Sequence, residues 1–304
     1  MSTDYEIIII GGGPAGLTAG IYAARARRKT VLLEKHGTGG QMALTWEVEN
    51  YPGVEKINGY ELGQRMEQQA RSFGLEIRSA DVTGIASAAG VHRVGTSEGE
   101  LTCRALVLAA GARHNRLGVP GEAEFTGHGV SYCGTCDGAF YQGVPVAVVG
   151  GGDTALQEAL FLTRFASRVF LVHRRNEFRA AKCLQERVAA EPKIEPVLES
   201  VVERIEGGAA VTGVALKNVR TGAASHLAAE GAFIFVGTTP NTEFLAGFVP
   251  LDAQGFIPTT PNLETPVPGV FAAGDCRVKA LRQISTAVGD GALAATMADD
   301  YLSQ

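Results

Sequence analysis

Apolar residues gather along the chain in short runs that end in glycine or other small residues, the pattern of strands buried on both faces of a parallel sheet. The first run, Tyr5 to Ile10, leads into Gly11-Gly12-Gly13-Pro14-Ala15-Gly16. An alanine-rich, helix-favouring stretch continues from Leu17 to Arg28, and then a second apolar run from Val31 to Leu33. The order is strand, tight turn, helix, strand. It returns at Val144 to Val149, with the turn Gly150-Gly151-Gly152-Asp153-Thr154-Ala155, a helix from Leu156 to Arg164 and a strand from Val169 to Val172. One structural unit is therefore present twice.

Three more short apolar runs also deliver backbone to small residues: Ala105 to Ala109, Ala232 to Val236, and Val270 to Ala273 before Gly274-Asp275. Between the two units, Glu76 to Cys103 alternates in short stretches, which predicts a small antiparallel layer across the sheet. The grammar of Gly274-Asp275 matches the first unit although it lies far from it in sequence, so the second unit reads as an insertion. The expected architecture is an α/β fold of two Rossmann-like three-layer ββα domains, the second inserted into the first. Its boundaries are residues 1–114 and 242–304 for the first domain and 115–241 for the second, with hinges near Gly111 to Arg116 and Gly237 to Thr242.

A length of 304 residues accommodates two such domains. The formal net charge of -5 gives no electrostatic reason to expect nucleic acid or an anionic membrane as partner. No apolar run reaches the 18 or so residues of a membrane span. The polar Met1 to Glu6 lacks the features of a secretory signal, so the expected compartment is the cytoplasm. Five cysteines are too few for a disulfide framework, and only Cys133 and Cys136 are paired in spacing.

The two glycine turns lead into strands that end in opposite charge. In the first, Gly11 permits the tight turn, Gly13 lets backbone approach a pyrophosphate, and Gly16 allows close helix packing, with Pro14 and Ala15 opening the helix. Glu34 closes the next strand, where a carboxylate binds a ribose hydroxyl and repels a 2'-phosphate. This site suits FAD or NAD rather than NADP. The second turn carries Gly150, Gly152 and Ala155, with Asp153 and Thr154 between them, and its second strand ends in His173-Arg174-Arg175 with Arg179 close behind. Cations there fit a 2'-phosphate, so the pair of sites reads as FAD in the first and NADPH in the second.

Cys133-Gly134-Thr135-Cys136-Asp137 lies in the inserted domain just before its first strand. Cysteines at this spacing can close a small disulfide ring suited to thiol exchange. The competing reading is half of a zinc site, which needs two further ligands, whereas Cys103, Cys183 and Cys276 each stand alone. Those three read as small buried hydrophobes. Asp137 reads either as a proton relay for the pair or as a turn residue before Gly138.

Taken together, Gly11 to Gly16, Gly39-Gly40-Gln41, Glu47 to Asn50, Cys133 to Gly138, Gly150 to Ala155, His173 to Arg175, and Gly269 to Asp275 with Arg282-Gln283 resemble the low-molecular-weight bacterial type of thioredoxin reductase across essentially the whole chain. The resemblance implies a homodimer that reduces the disulfide of thioredoxin or a thioredoxin-like protein. It implies FAD contacts at Gly40, Gln41 and Asn50, Gly274 and Asp275 at the ribityl and phosphate portion, and Arg282, Gln283 and Ile284 toward the isoalloxazine. It makes Cys136 the sulfur nearest the flavin and Cys133 the one that attacks the partner. Because nicotinamide and cysteine pair both belong to the inserted domain, it also implies a domain rotation about the hinges.

Two departures stand out. Ala139 and Phe140 replace a pair of aromatics that receives the protein partner in the family, and Cys276 replaces a more usual apolar residue. Rival readings are a flavin disulfide reductase or dithiol oxidase with another partner, a reductase driven by ferredoxin, against which the basic second site argues, and a nucleotide sensor without turnover, against which the cysteine pair argues.

Overall fold

The computed structural model describes residues 3–45 and 47–304, so Met1 and Ser2 of the polar N-terminus lie outside the described residues. The chain divides into two compact units, Met1–Arg113 with Thr239–Gln304, and His114–Thr238.

The first unit opens with β1 (Ile7–Ile10), α1 (Pro14–Arg25), β2 (Thr30–Glu34), α2 (Gly59–Ser72) and β3 (Glu76–Ser79). It continues through β4 (Val82–Ala88), β5 (Val91–Thr96), β6 (Gly99–Cys103) and β7 (Ala105–Leu108), and β8 (Ala112–His114) leads out of it. The second unit contains β9 (Val130–Ser131), α3 (Gly134–Asp137), β10 (Pro145–Val149), α4 (Asp153–Leu162), β11 (Arg168–Val172) and α5 (Lys182–Ala190). After these come β12 (Ile194–Val197), β13 (Ser200–Gly207), β14 (Val211–Asn218), β15 (Ala224–Leu227) and β16 (Gly231–Ile234), with β17 (Thr238–Pro240) leading back. The chain finishes with β18 (Val270–Ala272) and α6 (Ile284–Ser303).

In the first unit a parallel sheet runs β18-β7-β1-β2-β3. Because side chains alternate across a strand, the continuous apolar run of β1 serves two cores at once. Ile7 and Ile9 join Leu17 and Ala19 of α1 and Ala294 and Ala298 of α6. Ile8 and Ile10 face the other way, with Val94 and Cys103 of the antiparallel sheet β4-β5-β6. The result is three layers: helices, parallel sheet, antiparallel sheet.

The second unit repeats this plan with a parallel sheet β12-β11-β10-β16-β9. Val146 and Val148 face Leu156 and Leu162 of α4, while Ala147 and Val149 face Val202, Val214 and Leu216 of the antiparallel β13-β14-β15. Two Rossmann-like ββα units, as expected from the repeated strand–turn–helix grammar, thus build the chain.

Some expectations change. The helices begin earlier than the composition suggests, at Pro14 and Asp153, because proline is well placed in a first turn and the glycine turns are already their N-termini. Glu76 to Ser79 is not part of an antiparallel layer; β3 pairs parallel to β2 as the edge of the main sheet, and its exposure hides the apolar run that marks inner strands. Cys183 is exposed rather than buried, whereas Cys103 and Cys276 are buried.

Candidate active site

The redox pair sits where β9 gives way to α3. Cys133 and Cys136 are closed in a disulfide with Cα atoms 5.3 Å apart. The turn is fastened from inside, with the Cys136 N–H donating to Cys133 Sγ at 3.1 Å and the Asp137 N–H to the Cys133 carbonyl at 3.2 Å. Ser131 Oγ accepts the Cys133 N–H at 3.1 Å and donates to Asp137 Oδ2 at 2.6 Å. Burial pushes the Asp137 carboxyl above the ordinary carboxylate range, with the Ser131 bond opposing. The neighbouring Tyr141 is pushed up to about 12 by burial and by the Asp137 charge. A carboxyl next to a disulfide is placed to exchange a proton when thiols form.

The β1–α1 turn builds the first glycine site. Gly11 takes a left-handed φ of 109°, and a Cβ there would lie 2.2 Å from the Ala109 carbonyl oxygen, so only glycine lets β1 turn this close to the end of β7. Glu34 at the end of β2 accepts the Gly12 N–H at 2.6 Å and the His36 N–H at 2.8 Å. The Gly40 turn comes alongside, since a Cβ on Gly40 would be 3.3 Å from Gly13 Cα, while one on Gly13 would meet nothing within 4 Å. From the other end of the unit, Gly274 comes up against α1, where a Cβ on it would lie 2.9 Å from Ala15 Cβ. Asp275 is held next to it with Oδ1 buried and lacking a hydrogen-bond partner among the described residues. Burial raises its pKa, with Lys279 and Arg282 opposing.

Around this cradle, Asn50 Nδ2 donates to Gln283 Oε1 at 3.0 Å, bringing together two residues 233 positions apart. Arg282 stacks over Phe256 at 4.3 Å, and its Nε donates to the Asp275 carbonyl at 3.3 Å. Ile284 opens α6 and packs against the core, and Gln41 is exposed at the start of the Gly40–Leu44 turn. An open glycine, a carboxylate on the turn and an orphaned buried acid oxygen together fit a dinucleotide with ribose or ribityl hydroxyls to donate.

The β10–α4 turn repeats the geometry with different chemistry. A Cβ on Gly150 would lie 2.5 Å from the Phe235 carbonyl oxygen and 2.6 Å from Ala155 Cβ, whereas one on Gly152 would meet nothing within 4 Å. His173 fills the place that Glu34 takes in the first unit: a Cβ on Gly151 would be 2.2 Å from its Nδ1, as one on Gly12 would be 2.9 Å from Glu34 Cγ. His173 is buried, and burial lowers its pKa together with the nearby charges of Arg179, Arg175 and Arg174. It therefore lies beneath the turn as a neutral ring, apart from the three exposed arginines. The Arg179 N–H donates to the Gly151 carbonyl at 2.7 Å, which ties the arginine segment to the turn. Thr154 is exposed, and the Asp153 carboxylate accepts the Ala181 N–H at 2.7 Å.

Residues 5–291 match the family model described as pyridine nucleotide-disulphide oxidoreductase. A thioredoxin reductase of Peptoclostridium litorale is 44% identical over 311 residues, covering 100% of this chain and 99% of the relative. One from Bacillus subtilis (strain 168) is 43% identical, covering 99% and 95%. The crystal structure of thioredoxin reductase from Streptococcus pyogenes MGAS5005 superposes with a TM-score of 0.95 at 43% identity, covering 98% of each chain.

The chain belongs to the thioredoxin reductase family. Within that family frame, two supporting residues carry no local sequence signature. Asp290 on α6 accepts the Gly274 N–H at 3.0 Å and pairs with Arg277 and Lys279, both at 2.8 Å. Against the upward push of burial, those two cations hold Asp290 below the usual carboxylate range. Ser131, which orders Asp137, could have been noticed only from its position two residues before Cys133. Ala139 and Phe140, just after the redox turn, are both exposed. Cys276 packs under the cradle, its thiol 3.4 Å from the Leu108 carbonyl oxygen and pushed up to about 11 by burial, so it is a packing residue. Among the described residues no group of three or more His, Cys, Asp or Glu could hold a metal ion, and no helix is long and apolar enough to cross a membrane.

Proposed function

We propose that this chain is an NADPH-dependent thioredoxin-disulfide reductase that holds FAD in the first unit and NADPH in the second. The observation that carries the reading is the closed Cys133–Cys136 disulfide beside a half-buried Asp137 whose pKa burial raises, in the same unit as an arginine-flanked glycine turn. When bound, the flavin relays two electrons from reduced nicotinamide to a disulfide.

The glycine turns bind and orient. Gly13 and Gly152 leave room for pyrophosphate, Glu34 and Asp275 accept from hydroxyls, and Arg174, Arg175 and Arg179 receive a 2'-phosphate. Pro14, Ala15, Gly16, Thr154 and Ala155 present the first turns of α1 and α4 to those phosphates. Gly40, Gln41, Asn50, Arg282, Gln283 and Ile284 complete the flavin site.

Two electrons and two protons reduce the disulfide, breaking the Sγ–Sγ bond to leave a Cys136 thiol and a Cys133 thiolate, with Asp137 holding the second proton until both protons leave on the partner's dithiol. As a thiolate, Cys133 then attacks one sulfur of the partner's disulfide; Cys136 displaces the partner from the mixed disulfide, releasing it as a dithiol and closing the ring again. The proposed partner is thioredoxin or a thioredoxin-like protein. We assign a homodimer and the cytoplasm, a compartment that keeps partner thiols reduced.

The test is NADPH oxidation by the purified flavoprotein with thioredoxin as acceptor. Turnover by wild type and its loss in Cys133→Ser is the expected result. Nucleotide-driven bleaching of the flavin without thioredoxin turnover would reject this partner and point to another disulfide, a reading that Ala139 in place of an aromatic favours.

A further inference from the structure

The carboxylate of Asp290, on the second turn of α6, gathers its donors from a single loop. Oδ2 accepts the Gly274 N–H at 3.0 Å, Arg277 Nε at 2.8 Å and Lys279 Nζ at 2.8 Å, and Oδ1 accepts a second Arg277 nitrogen at 3.1 Å. The Lys279 side chain is only 6% exposed. One oxygen thus holds both a buried ammonium and the peptide that leads into Asp275.

Two acids of one cradle are treated in opposite ways. Asp290 is saturated with donors, whereas Asp275 Oδ1 is buried and lacks a hydrogen-bond partner among the described residues. An unpaired buried carboxylate oxygen is costly, and a lysine four residues along the same loop is an obvious partner for it. Lys279 does not take that place, because its ammonium is committed to Asp290. Arg277 has further acceptors in the Thr259 hydroxyl at 3.2 Å and the Val278 carbonyl at 3.1 Å, and Arg282 donates to the carbonyls of Asp275, Arg277 and Lys279. Lys279 is therefore the cation that leans on Asp290. Its charge is also felt at Asp275, where it opposes the upward push of burial.

We propose that Asp290 is a positioning residue for flavin binding: by holding Lys279 and the Gly274 peptide, it keeps Asp275 Oδ1 free to accept a hydroxyl of the flavin nucleotide. The inference rests on reading the first unit as the FAD site. Without the Asp290 charge, buried Lys279 takes Asp275 as its counter-ion, and the acceptor is lost to the flavin.

The test is the rate at which the purified holoenzyme releases FAD. Phosphodiesterase cleaves FAD as it comes free, which makes release irreversible and raises the flavin fluorescence that reports it. Asp290→Asn keeps an acceptor for the Gly274 N–H but not the charge, and should release FAD about tenfold faster than wild type, the scale of a hydrogen bond to a charged group. Asp275→Asn offers the flavin an amide oxygen that Lys279 cannot claim as a counter-ion, so adding Asp290→Asn to it should change release by less than about twofold. Lys279→Met removes the competing cation, and combined with Asp290→Asn it should return release to within about threefold of wild type. The proposal is overturned by an unchanged rate in Asp290→Asn or by failure of Lys279→Met to restore retention. It is overturned equally by the same acceleration in the Asp275→Asn background, which is what a general loosening of the fold produces. With flavin held by wild type, any of those results counts against Asp290 alone; a wild-type chain without flavin would remove the flavin site and this inference with it.

Discussion

Asp137 shows how one residue can be arranged for chemistry at the expense of stability. Its carboxyl is taken out of water beside Cys136, and its ordinary pKa of 3.8 is raised by burial despite the 2.6 Å bond from Ser131. An acid with a raised folded-state pKa binds its proton more tightly in the folded chain, so stability is greatest below the unfolded value and falls as pH rises through the folded one. Asp137→Asn removes this titration while leaving an acceptor for Ser131. We expect the variant to be more stable than wild type at pH 8 in urea melts of the oxidised holoenzyme, with the difference closing as pH falls toward 4. Its turnover should drop by about 100-fold, the usual scale for losing a positioned proton carrier. Coincident melts at every pH would show that the acid titrates alike in both states. At this scale the sequence supplied Asp137 and its alternatives; the burial that raises its pKa came from the fold.

The elements around the glycine turns separate two uses of the same residue type. Gly16 is needed by the fold, since a Cβ there would lie 1.8 Å from the Gly11 carbonyl oxygen. Gly13 is not, since its Cβ would meet nothing within 4 Å. Gly16→Ala should therefore destabilise the flavin-free chain by about 1–3 kcal/mol, the range for overpacking a tight contact. Gly13→Ala should leave flavin-free stability within about 0.5 kcal/mol of wild type, as for substitutions that touch nothing. Flavin bound per chain after purification should nevertheless fall in Gly13→Ala, because the new methyl enters the space assigned to pyrophosphate. Full flavin content in that variant would remove Gly13 from the site. The glycine spacing was legible in the sequence. A comparable contact on α6 was not: Gly291, whose Cβ would be 2.1 Å from the Ala15 carbonyl oxygen, sits in an alanine-rich helix with no motif to mark it.

Across the molecule, one plan has been used twice with opposite charge. The place under the second glycine holds an acid hydrogen-bonded to backbone in the first unit and a buried neutral imidazole in the second, with exposed arginines just beyond. Under the proposed function, the first unit takes a nucleotide without a 2'-phosphate and the second takes one with it. Removing both Arg174 and Arg175 should raise KM for NADPH by about tenfold or more, since a single hydrogen bond to a charged group contributes roughly 1.5–3 kcal/mol. KM for NADH should stay within about twofold. Equal weakening for both nucleotides would place the arginines away from the distinguishing phosphate.

By itself the sequence determined the features that depend on neighbours along the chain: the buried strand runs ending in glycine, the acidic and basic ends of the two second strands, and the three-residue separation of the cysteines. These are legible because strand period, turn conformation and ring closure are set within a few residues. Tertiary structure decided the features that depend on approach between distant segments. It made Glu76 to Ser79 a parallel edge strand by pairing with β2, delivered Asp290 to the Gly274 N–H, exposed Cys183, sank His173 beneath Gly151, and set Glu158 against Gly134. No local pattern encodes those outcomes, because burial and hydrogen-bond partnership belong to pairs of surfaces that meet only when the sheets and helices pack.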